Sequence, residues 1–331
     1  MKKRNKVLAL IMAAAMTSAV AGCTDGGKGS TEAGSEKLNI GIIQYMEHSA
    51  LDAAREGFVK ALKDNGYTEE KVIFDLQNAQ GDQSNLSTIS DRFVSNKVDL
   101  VLAIATPAAQ SIAGKTTEIP ILATAVTDFE AAKLVASNTA PGGNVSGTTD
   151  MNPIKEQMDL LVKLVPGVKK VGVMYTSSED NSILQAKLAK EAIEKLGLTY
   201  VEATVTNSND VQQVTQSIVT KCDAIYIPTD NTFASAMPVV SGITSKAKIP
   251  VICGESGMVT TGGLATLGIN YSDLGYQTGL MAVKILKGEA KPADMAVEAS
   301  KNFDFAINGT VADEIGLKIP ADLEKYVIKS K

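Results

Sequence analysis

Small polar side chains follow several apolar runs of the chain, each where a strand is predicted to end. Acids, hydroxyls and amides of this kind can bind a zwitterion. Its carboxylate could accept hydrogen bonds from backbone N–H groups near Thr106, the predicted N-cap of a helix. Its ammonium could bind Asp128, Asp230 or Glu255. The candidate ligand-binding residues in these loops are Gln44, Tyr45, Thr106, Ala108, Ala109, Thr127, Asp128, Tyr175, Ser177, Asn181, Asp230, Asn231 and Glu255.

These loops contain no arginine, since the three arginines are Arg4, Arg55 and Arg92, and the last two fall within predicted helices. A site for phosphate esters usually recruits Arg or Lys. The chain also lacks tryptophan, which disfavours sugars. A zwitterion with an apolar side chain fits better. Tyr45, Tyr175, Phe129 and Phe233 could pack that side chain, or could belong to the core.

The residues for other chemistries are sparse. His48 is the only histidine, and the only cysteines apart from Cys23 are Cys222 and Cys253, so we expect no zinc site. Residues 254–257 lack the spacing of a nucleophile elbow. An enzyme would have to use Asp230 and Glu255 as an acid/base pair. We therefore predict a protein that is not an enzyme and has no cofactor and no metal. Cys222 and Cys253 are expected to be buried thiols, and a disulfide between them is the alternative.

The elements that must position these loops alternate between strand and helix. The first half predicts strands at 38–43, 72–76, 99–105 and 121–126, with helices at 50–65, 84–95 and from 107. The second half repeats this order about 125–130 residues later, with strands at 171–175, 200–205, 222–229 and 249–252 and helices at 183–195 and 211–219. Such alternation predicts an α/β fold of two Rossmann-like lobes with parallel sheets, joined by a hinge. The ligand is expected between the lobes, beyond the carboxyl ends of the strands.

The N-terminus has the layout of a secretory signal. Four basic residues precede an apolar run, and small residues then precede Cys23. The run is too short to span a bilayer comfortably, because a spanning helix needs about 20 apolar residues. The Gly/Ser/Thr/Glu-rich residues 24–36 have the composition of a flexible linker. The pattern resembles the lipobox of bacterial lipoproteins, in which the cysteine carries lipid. An ordinary signal peptide with an incidental cysteine is the alternative.

Charge and size exclude other classes. Residues 1–22 carry four of the 32 Lys and Arg and none of the 37 Asp and Glu, so the mature chain has a net charge of about −9. Nucleic-acid binding needs a positive footprint, so none is expected. About 295 folded residues exceed what one core usually holds, which also favours two lobes.

Several motifs together resemble the substrate-binding lipoproteins of a bacterial ABC importer family. They are residues 37–65, 106–110, 125–128, 228–231, 254–258 and 264–275. The resemblance implies the two-lobed type I periplasmic binding protein fold, an aromatic amino acid as ligand (tryptophan, or phenylalanine or tyrosine) and an ABC permease as partner. It adds Asn270 to the candidate ligand-binding residues. Phe129 replaces a proline found in many members, which leaves the exact ligand open.

The expected organisation has four parts. Residues 1–22 are the signal peptide and 23–36 the lipidated Cys23 with its linker. Residues 37–149 and 271–302 form lobe 1, and 150–270 and 303–331 form lobe 2. The protein is expected to be a monomer anchored to the outer face of the cell membrane through lipid on Cys23. The alternatives are a nucleoside or other small-solute receptor and a sensory receptor of the same fold.

Overall fold

The computed structural model describes residues 37–300 and 303–328. The predicted signal peptide, Cys23 and linker lie outside the described residues. Within those residues, no helix is both long enough and apolar enough to cross a membrane.

Two sheets organise the described part of the chain, one of six strands and one of seven, and six strands of each follow the same order. In each, the first strand of the repeat pairs in parallel with both the second and the third. Thus β1 (Leu38–Gln44) lies between β2 (Val72–Asn78) and β3 (Leu100–Ile104), and β6 (Lys170–Thr176) lies between β7 (Thr199–Val205) and β8 (Ala224–Ile227). The predicted repeat is therefore a repeat of topology.

The first sheet is built mainly from the N-terminal half. Its buried strands alternate with helices, as the predicted α/β pattern requires. The elements are β1 (Leu38–Gln44), α1 (Ser49–Asp64), β2 (Val72–Asn78), α2 (Gln83–Ser95), β3 (Leu100–Ile104), α3 (Thr106–Ala113), β4 (Ile121–Val126) and β5 (Val145–Thr149).

The second sheet takes the middle of the chain and its C-terminal end. Its elements are α4 (Ile154–Leu164), β6 (Lys170–Thr176), α5 (Asp180–Lys195), β7 (Thr199–Val205), α6 (Val211–Ile218), β8 (Ala224–Ile227), α7 (Asn231–Ser235), α8 (Met237–Ala247), β9 (Val251–Cys253), α9 (Ser256–Thr260), β10 (Ala265–Ile269), β12 (Phe303–Asn308), α11 (Gly309–Ile315) and β13 (Val327–Ile328). Strand β12 runs antiparallel to β10. Cys222 and Cys253 are buried and free, which confirms the predicted thiols.

Three segments carry the chain between the sheets. The first follows β5, and the second lies between β10 and α10 (Tyr271–Leu286). The third lies between β11 (Glu298–Ala299), which pairs with β5, and β12. Helix α10 packs against α1 so closely that a Cβ on Gly275 would lie 1.9 Å from the Ala54 carbonyl oxygen. Glycine at this position lets the two helix backbones meet.

Candidate functional site

The candidate site is a cavity between the elements of the two sheets. Its walls lie close together in this structure, because the volume open to the centre of a water-sized sphere is only about 10 Å³. Residues from both halves form its walls, at the carboxyl ends of the parallel strands, as open α/β sheets predict. The lining residues are His48, Leu51, Ala125, Asp150, Asn181, Thr229, Asp230, Asn231, Ala234, Glu255, Met258 and Tyr271.

Three carboxylates line the cavity, and no lysine or arginine does so among the described residues. Asp150, Asp230 and Glu255 are each almost completely buried. A fourth buried carboxylate, Glu179, accepts hydrogen bonds from the backbone N–H groups of Asn231 and Thr232 at 3.2 and 3.1 Å. Burying several carboxylates without a paired cation is costly. The cavity therefore favours a cationic group.

Glu255 begins α9 and holds the N-terminus of that helix. Its carboxylate accepts hydrogen bonds from the backbone N–H groups of Gly257 and of Met258, the latter at 2.8 Å. Burial outweighs these bonds and raises the pKa of Glu255 to about 7. A ligand cation would favour the charged form and lower this pKa.

Asp230 has a similar position before α7. It accepts hydrogen bonds from the Thr176 backbone N–H at 2.6 Å, from the Thr176 hydroxyl at 2.9 Å and from the Phe233 N–H at 2.8 Å. Burial raises the pKa of Asp230. Burial and the nearby Asp230 charge also raise the pKa of Glu179 to about 7. Asp230 thus combines a capping role with a place in the cavity wall.

Asp150 lies at the first crossing and is bound to Tyr271 at the second. The Tyr271 hydroxyl donates to Asp150 Oδ2 at 2.6 Å, and the Thr127 hydroxyl donates to Asp150 Oδ1 at 3.1 Å. Burial raises the pKa of Asp150 despite these bonds. The pair links two of the three connecting segments beside the cavity.

Direct hydrogen bonds also join the two halves across the cavity. His48, before α1, is 3.2 Å from the Asn231 side-chain oxygen. Gln185 on α5 donates to the Thr127 hydroxyl at 3.0 Å, and Gln110 on α3 donates to Asp180 at 2.9 Å. These bonds hold the halves together around the cavity.

Two buried polar atoms of the lining residues lack hydrogen-bond partners among the described residues, namely His48 Nδ1 and Asn181 Oδ1. Thr106 Oγ1, at the start of α3 and outside the lining, also lacks one. Buried polar groups are nearly always hydrogen-bonded in folded proteins. Unpaired atoms of this kind are where a bound molecule can form bonds.

Four of the residues predicted from the sequence line the cavity, namely Asn181, Asp230, Asn231 and Glu255. Tyr45 lies elsewhere, in the wall of a wider depression between the same two halves. Gln44 is buried but fully engaged, since it donates to Met46 and Asp52 and accepts from Arg55. Thr127 is not in the cavity lining, but its hydroxyl donates to Asp150, which is, and accepts from Gln185.

Other predicted residues lie outside the cavity lining. The Tyr175 hydroxyl donates to Glu202 on the edge strand β7, and Ser177 is exposed and donates to the Val205 carbonyl. Asp128 accepts from the backbone N–H of Ala131 in a local turn, and Asn270 accepts from that of Asp273 and so caps the N-terminus of α10. Ala108 and Ala109 are buried within α3.

The prediction that Thr106 is the N-cap of α3 is wrong. Thr106 is the first helical residue, and Ala105 precedes it with φ 80° and no side-chain cap. Ala125, at the end of the neighbouring strand β4, also has a positive φ, of 56°. Non-glycine residues with positive φ are uncommon and cluster at functional sites. Both lie at the cavity end of the first sheet.

The sequence prediction omitted several lining residues: His48, Leu51, Ala125, Asp150, Thr229, Ala234, Met258 and Tyr271. Six of these eight lie within the motifs that carried the resemblance, namely His48, Leu51, Ala125, Thr229, Met258 and Tyr271. Asp150 gave no comparable signal, because the strand directly before it, β5, consists mainly of small and polar residues. Leu51, Ala125 and Ala234 are apolar, and no local sequence pattern distinguishes an apolar residue that lines a cavity from one in the core.

Together the fold and the site define a two-lobed α/β binding protein of the type I periplasmic class. Residues 39–331 match the model of the family described as ABC transporter substrate binding protein. The chain belongs to this family, which confirms the class predicted from the motifs.

Relatives support the same assignment. The chain is 40% identical to a tyrosine-binding protein of Clostridioides difficile strain R20291, over 99% of this chain and 97% of the relative. It is similar to an ABC domain from Streptococcus pneumonia solved in complex with L-Trp, at 40% identity, 88% and 100% coverage and a TM-score of 0.86. It also matches the ligand-free, open structure of a substrate binding protein with adhesive properties from Clostridium difficile, at 47% identity, 89% and 100% coverage and a TM-score of 0.68.

The two structural scores describe the arrangement of the halves. The more identical neighbour is open and superposes less well, while the less identical neighbour holds L-Trp and superposes better. In this chain the hydrogen bonds between the two halves, such as that from Gln185 to Thr127, mark a closed arrangement.

Proposed function

We propose that this chain captures an aromatic amino acid between its two halves and delivers it to an ABC permease. The observation that carries the proposal is the set of buried carboxylates around a cavity that, among the described residues, no lysine or arginine lines. The ligand ammonium would supply the missing positive charge. The names of the tyrosine-binding relative and of the L-Trp complex support an aromatic side chain.

The ligand carboxylate is assigned to the N-terminus of α3. No side chain caps this helix, and Thr106 Oγ1 is buried without a partner among the described residues. Free N–H groups at a helix N-terminus attract anions. The ligand carboxylate would then bind the backbone N–H groups of α3, and the ligand ammonium would bind the buried carboxylates.

Delivery rests on the difference between the open and closed arrangements. The ligand would stabilise the closed one, and a permease would recognise it, because a ligand shifts an equilibrium only by binding one state better. The proposed lobes are residues 37–149 with 271–302, and 150–270 with 303–331. They follow the membership of the two sheets.

A thermal-shift screen of the purified protein without its first 22 residues tests the ligand class. At a concentration about 100 times Kd, a ligand stabilises the folded state by about 2.7 kcal/mol, so the melting temperature should rise with L-tyrosine, L-tryptophan or L-phenylalanine. No shift with any of the three at millimolar concentration contradicts the proposal. A shift with nucleosides alone would favour the other small-solute receptor.

We also propose that Cys23 is lipidated and holds the mature protein at the outer face of the cell membrane. The support is the basic, apolar and small-residue pattern before Cys23 and the extracytoplasmic location typical of importer binding proteins. Replacing Cys23 with Ser should release the protein into the soluble fraction while the purified domain still binds ligand. Retention in the membrane fraction would contradict the anchor.

We expect no catalytic turnover from the cavity. Asp230 and Glu255, the pair that an enzyme would need, each accept hydrogen bonds from the first turn of a helix. Binding proteins of ABC transporters are typically not enzymes, which supports the same view. Recovery of L-tyrosine unchanged after prolonged incubation with the protein is the expected result.

A further inference from the structure

His48 joins the two halves of the cavity through one ring nitrogen and leaves the other unpaired. Its Nε2 is 3.2 Å from Asn231 Oδ1, on the opposite half. Its Nδ1 is buried and has no partner among the described residues. His48 lines the cavity beside Leu51 and Asn231.

The neighbouring hydrogen bonds fix which ring nitrogen carries the proton. Asn231 Nδ2 donates to Glu179 Oε2 at 2.5 Å, so Oδ1 is the end of the amide that faces His48. Above its pKa of about 7, Glu179 is deprotonated and can only accept, and the backbone N–H groups of Asn231 and Thr232 both donate to it. Asn231 Oδ1 can only accept, so His48 must donate from Nε2.

The remaining nitrogen of His48 is therefore an acceptor. Burial lowers the pKa of His48 to about 4, against the opposing effects of the Asn231 bond and the Asp52 charge. The ring is thus neutral near pH 7, and a neutral ring with hydrogen on Nε2 has a lone pair on Nδ1. A buried acceptor without a donor costs free energy that a ligand donor can recover.

We infer that His48 Nδ1 accepts a hydrogen bond from the side-chain ring of the ligand and so selects aromatic amino acids that carry a ring donor. This inference rests on the proposed function and deepens it. Tyrosine offers a phenol O–H and tryptophan an indole N–H, whereas phenylalanine offers neither.

The ligand ammonium is the competing donor, and the carboxylates of the cavity are its better partners. Asp150, Asp230 and Glu255 line the same space, and charge-assisted bonds are roughly twice as strong as neutral ones. The ligand ammonium therefore binds these carboxylates, and the donor on the ligand ring is left to bind His48 Nδ1. The apolar neighbours Leu51, Ala234 and Met258 provide the surface against which an aromatic ring can pack.

Affinities for tyrosine and phenylalanine show whether the ring hydroxyl or the ammonium is the donor to His48 Nδ1, because these ligands differ by one hydroxyl. Titration calorimetry of the wild-type domain should give at least about tenfold tighter binding of L-tyrosine, since a site built for a hydroxyl rejects the analogue without it. In His48→Gln, whose amide can still donate to Asn231 but which lacks the Nδ1 acceptor, the ratio should fall towards one. The exposed control Lys190→Ala should keep the wild-type ratio.

Two results would overturn the inference. One is equal binding of tyrosine and phenylalanine by the wild-type domain. The other is a His48→Gln variant that weakens both ligands equally, which would place the ammonium at Nδ1. If the wild-type domain bound no aromatic amino acid, the proposed function itself would be contradicted.

Nuclear magnetic resonance gives a second readout that does not depend on a variant folding. His48 is the only histidine of the chain, so an untagged protein labelled with ¹⁵N shows a single pair of ring nitrogens. In the complexes, where the halves are closed and the bond to Asn231 forms, the ring should carry hydrogen on Nε2 and none on Nδ1. The Nδ1 resonance should be that of a hydrogen-bonded nitrogen with tyrosine or tryptophan but not with phenylalanine. Hydrogen on Nδ1 in the phenylalanine complex would contradict the assignment.

Discussion

Gly257 at the start of α9 faces Ser49 at the start of α1, with the ligand cavity between the same two halves. A Cβ on Gly257 would lie 2.2 Å from Ser49 Oγ, a distance that real contacts do not reach. Serine on one half and glycine on the other therefore let the halves meet. If the halves separate when the ligand leaves, this contact is lost with them.

Gly257→Ala is expected to hinder closure and to weaken L-tyrosine binding by about tenfold or more. Its backbone φ lies outside the left-handed region, so alanine is compatible with the local fold. The new methyl group would also press on the Glu255 carboxylate, at 2.8 Å, which adds to the loss. Calorimetry measures the affinity, and small-angle scattering measures compaction on adding ligand.

Gly242→Ala is the matched control for this change. Gly242 lies in α8, where an added Cβ meets nothing within 4 Å. Alanine there should leave affinity unchanged and slightly favour the helix. Equal affinities for the two variants would show that the contact between Gly257 and Ser49 does not limit closure.

Ligand binding is expected to release protons near neutral pH. Burial raises the pKa values of Glu179 and Glu255 to about 7, and a ligand ammonium would lower them. The ligand-free fold binds more protons than the unfolded chain between about pH 4.5 and 7, so its stability falls as pH rises through that window. Affinity should rise over the same window, because the ammonium binds the deprotonated carboxylates.

Calorimetry at pH 5.5 and pH 8.0, in two buffers of different ionisation enthalpy, measures this linkage. The affinity should be several-fold higher at pH 8.0, and the buffer dependence at pH 5.5 should reveal released protons. Glu255→Gln should reduce the number of protons released. An affinity that is the same at both pH values would contradict the role assigned to these carboxylates.

Tyr271→Phe is expected to destabilise the protein. The hydroxyl donates to the buried Asp150 carboxylate, and its loss leaves that acceptor short of a donor. The cost should be about 1–3 kcal/mol of unfolding free energy. The pKa of Asp150, already raised by burial, should rise further. Denaturant unfolding measures the effect.

Tyr276→Phe is a control on the same helix. Its hydroxyl donates to Asp64 at the surface, at 3.2 Å, so its removal should leave stability unchanged within error. A similar loss in both variants would mean that the hydroxyl of Tyr271 has no special role at the crossings.

The order of elements could be predicted from the sequence because apolar runs and helical spacing are local signals. Asp230, Asn231 and Glu255 could be placed in the site for a related reason, since the carboxyl ends of parallel strands meet at one edge. The same rule misplaced Tyr175, whose hydroxyl binds Glu202 on an edge strand. Which face a terminal strand residue presents depends on register, and a single strand does not encode its register.

The contact between Asp150 and Tyr271 could not be predicted from local sequence patterns. They are 121 positions apart in the chain, and they meet because two connecting segments lie side by side. Helix α4 was not predicted either, although its apolar residues have helical spacing; it begins after Pro153, at the first crossing. Positions at the crossings depend on how the two halves associate, which is a tertiary property.

The most direct test of the account compares L-tyrosine with 3-(4-hydroxyphenyl)propionate, which has the same ring and carboxylate but no ammonium. Both are titrated calorimetrically into the purified domain at pH 8.0. L-Tyrosine is expected to bind, and the analogue to bind at least about 100-fold more weakly, because the buried carboxylates then lack their cation. Equal affinities for the two compounds would contradict it.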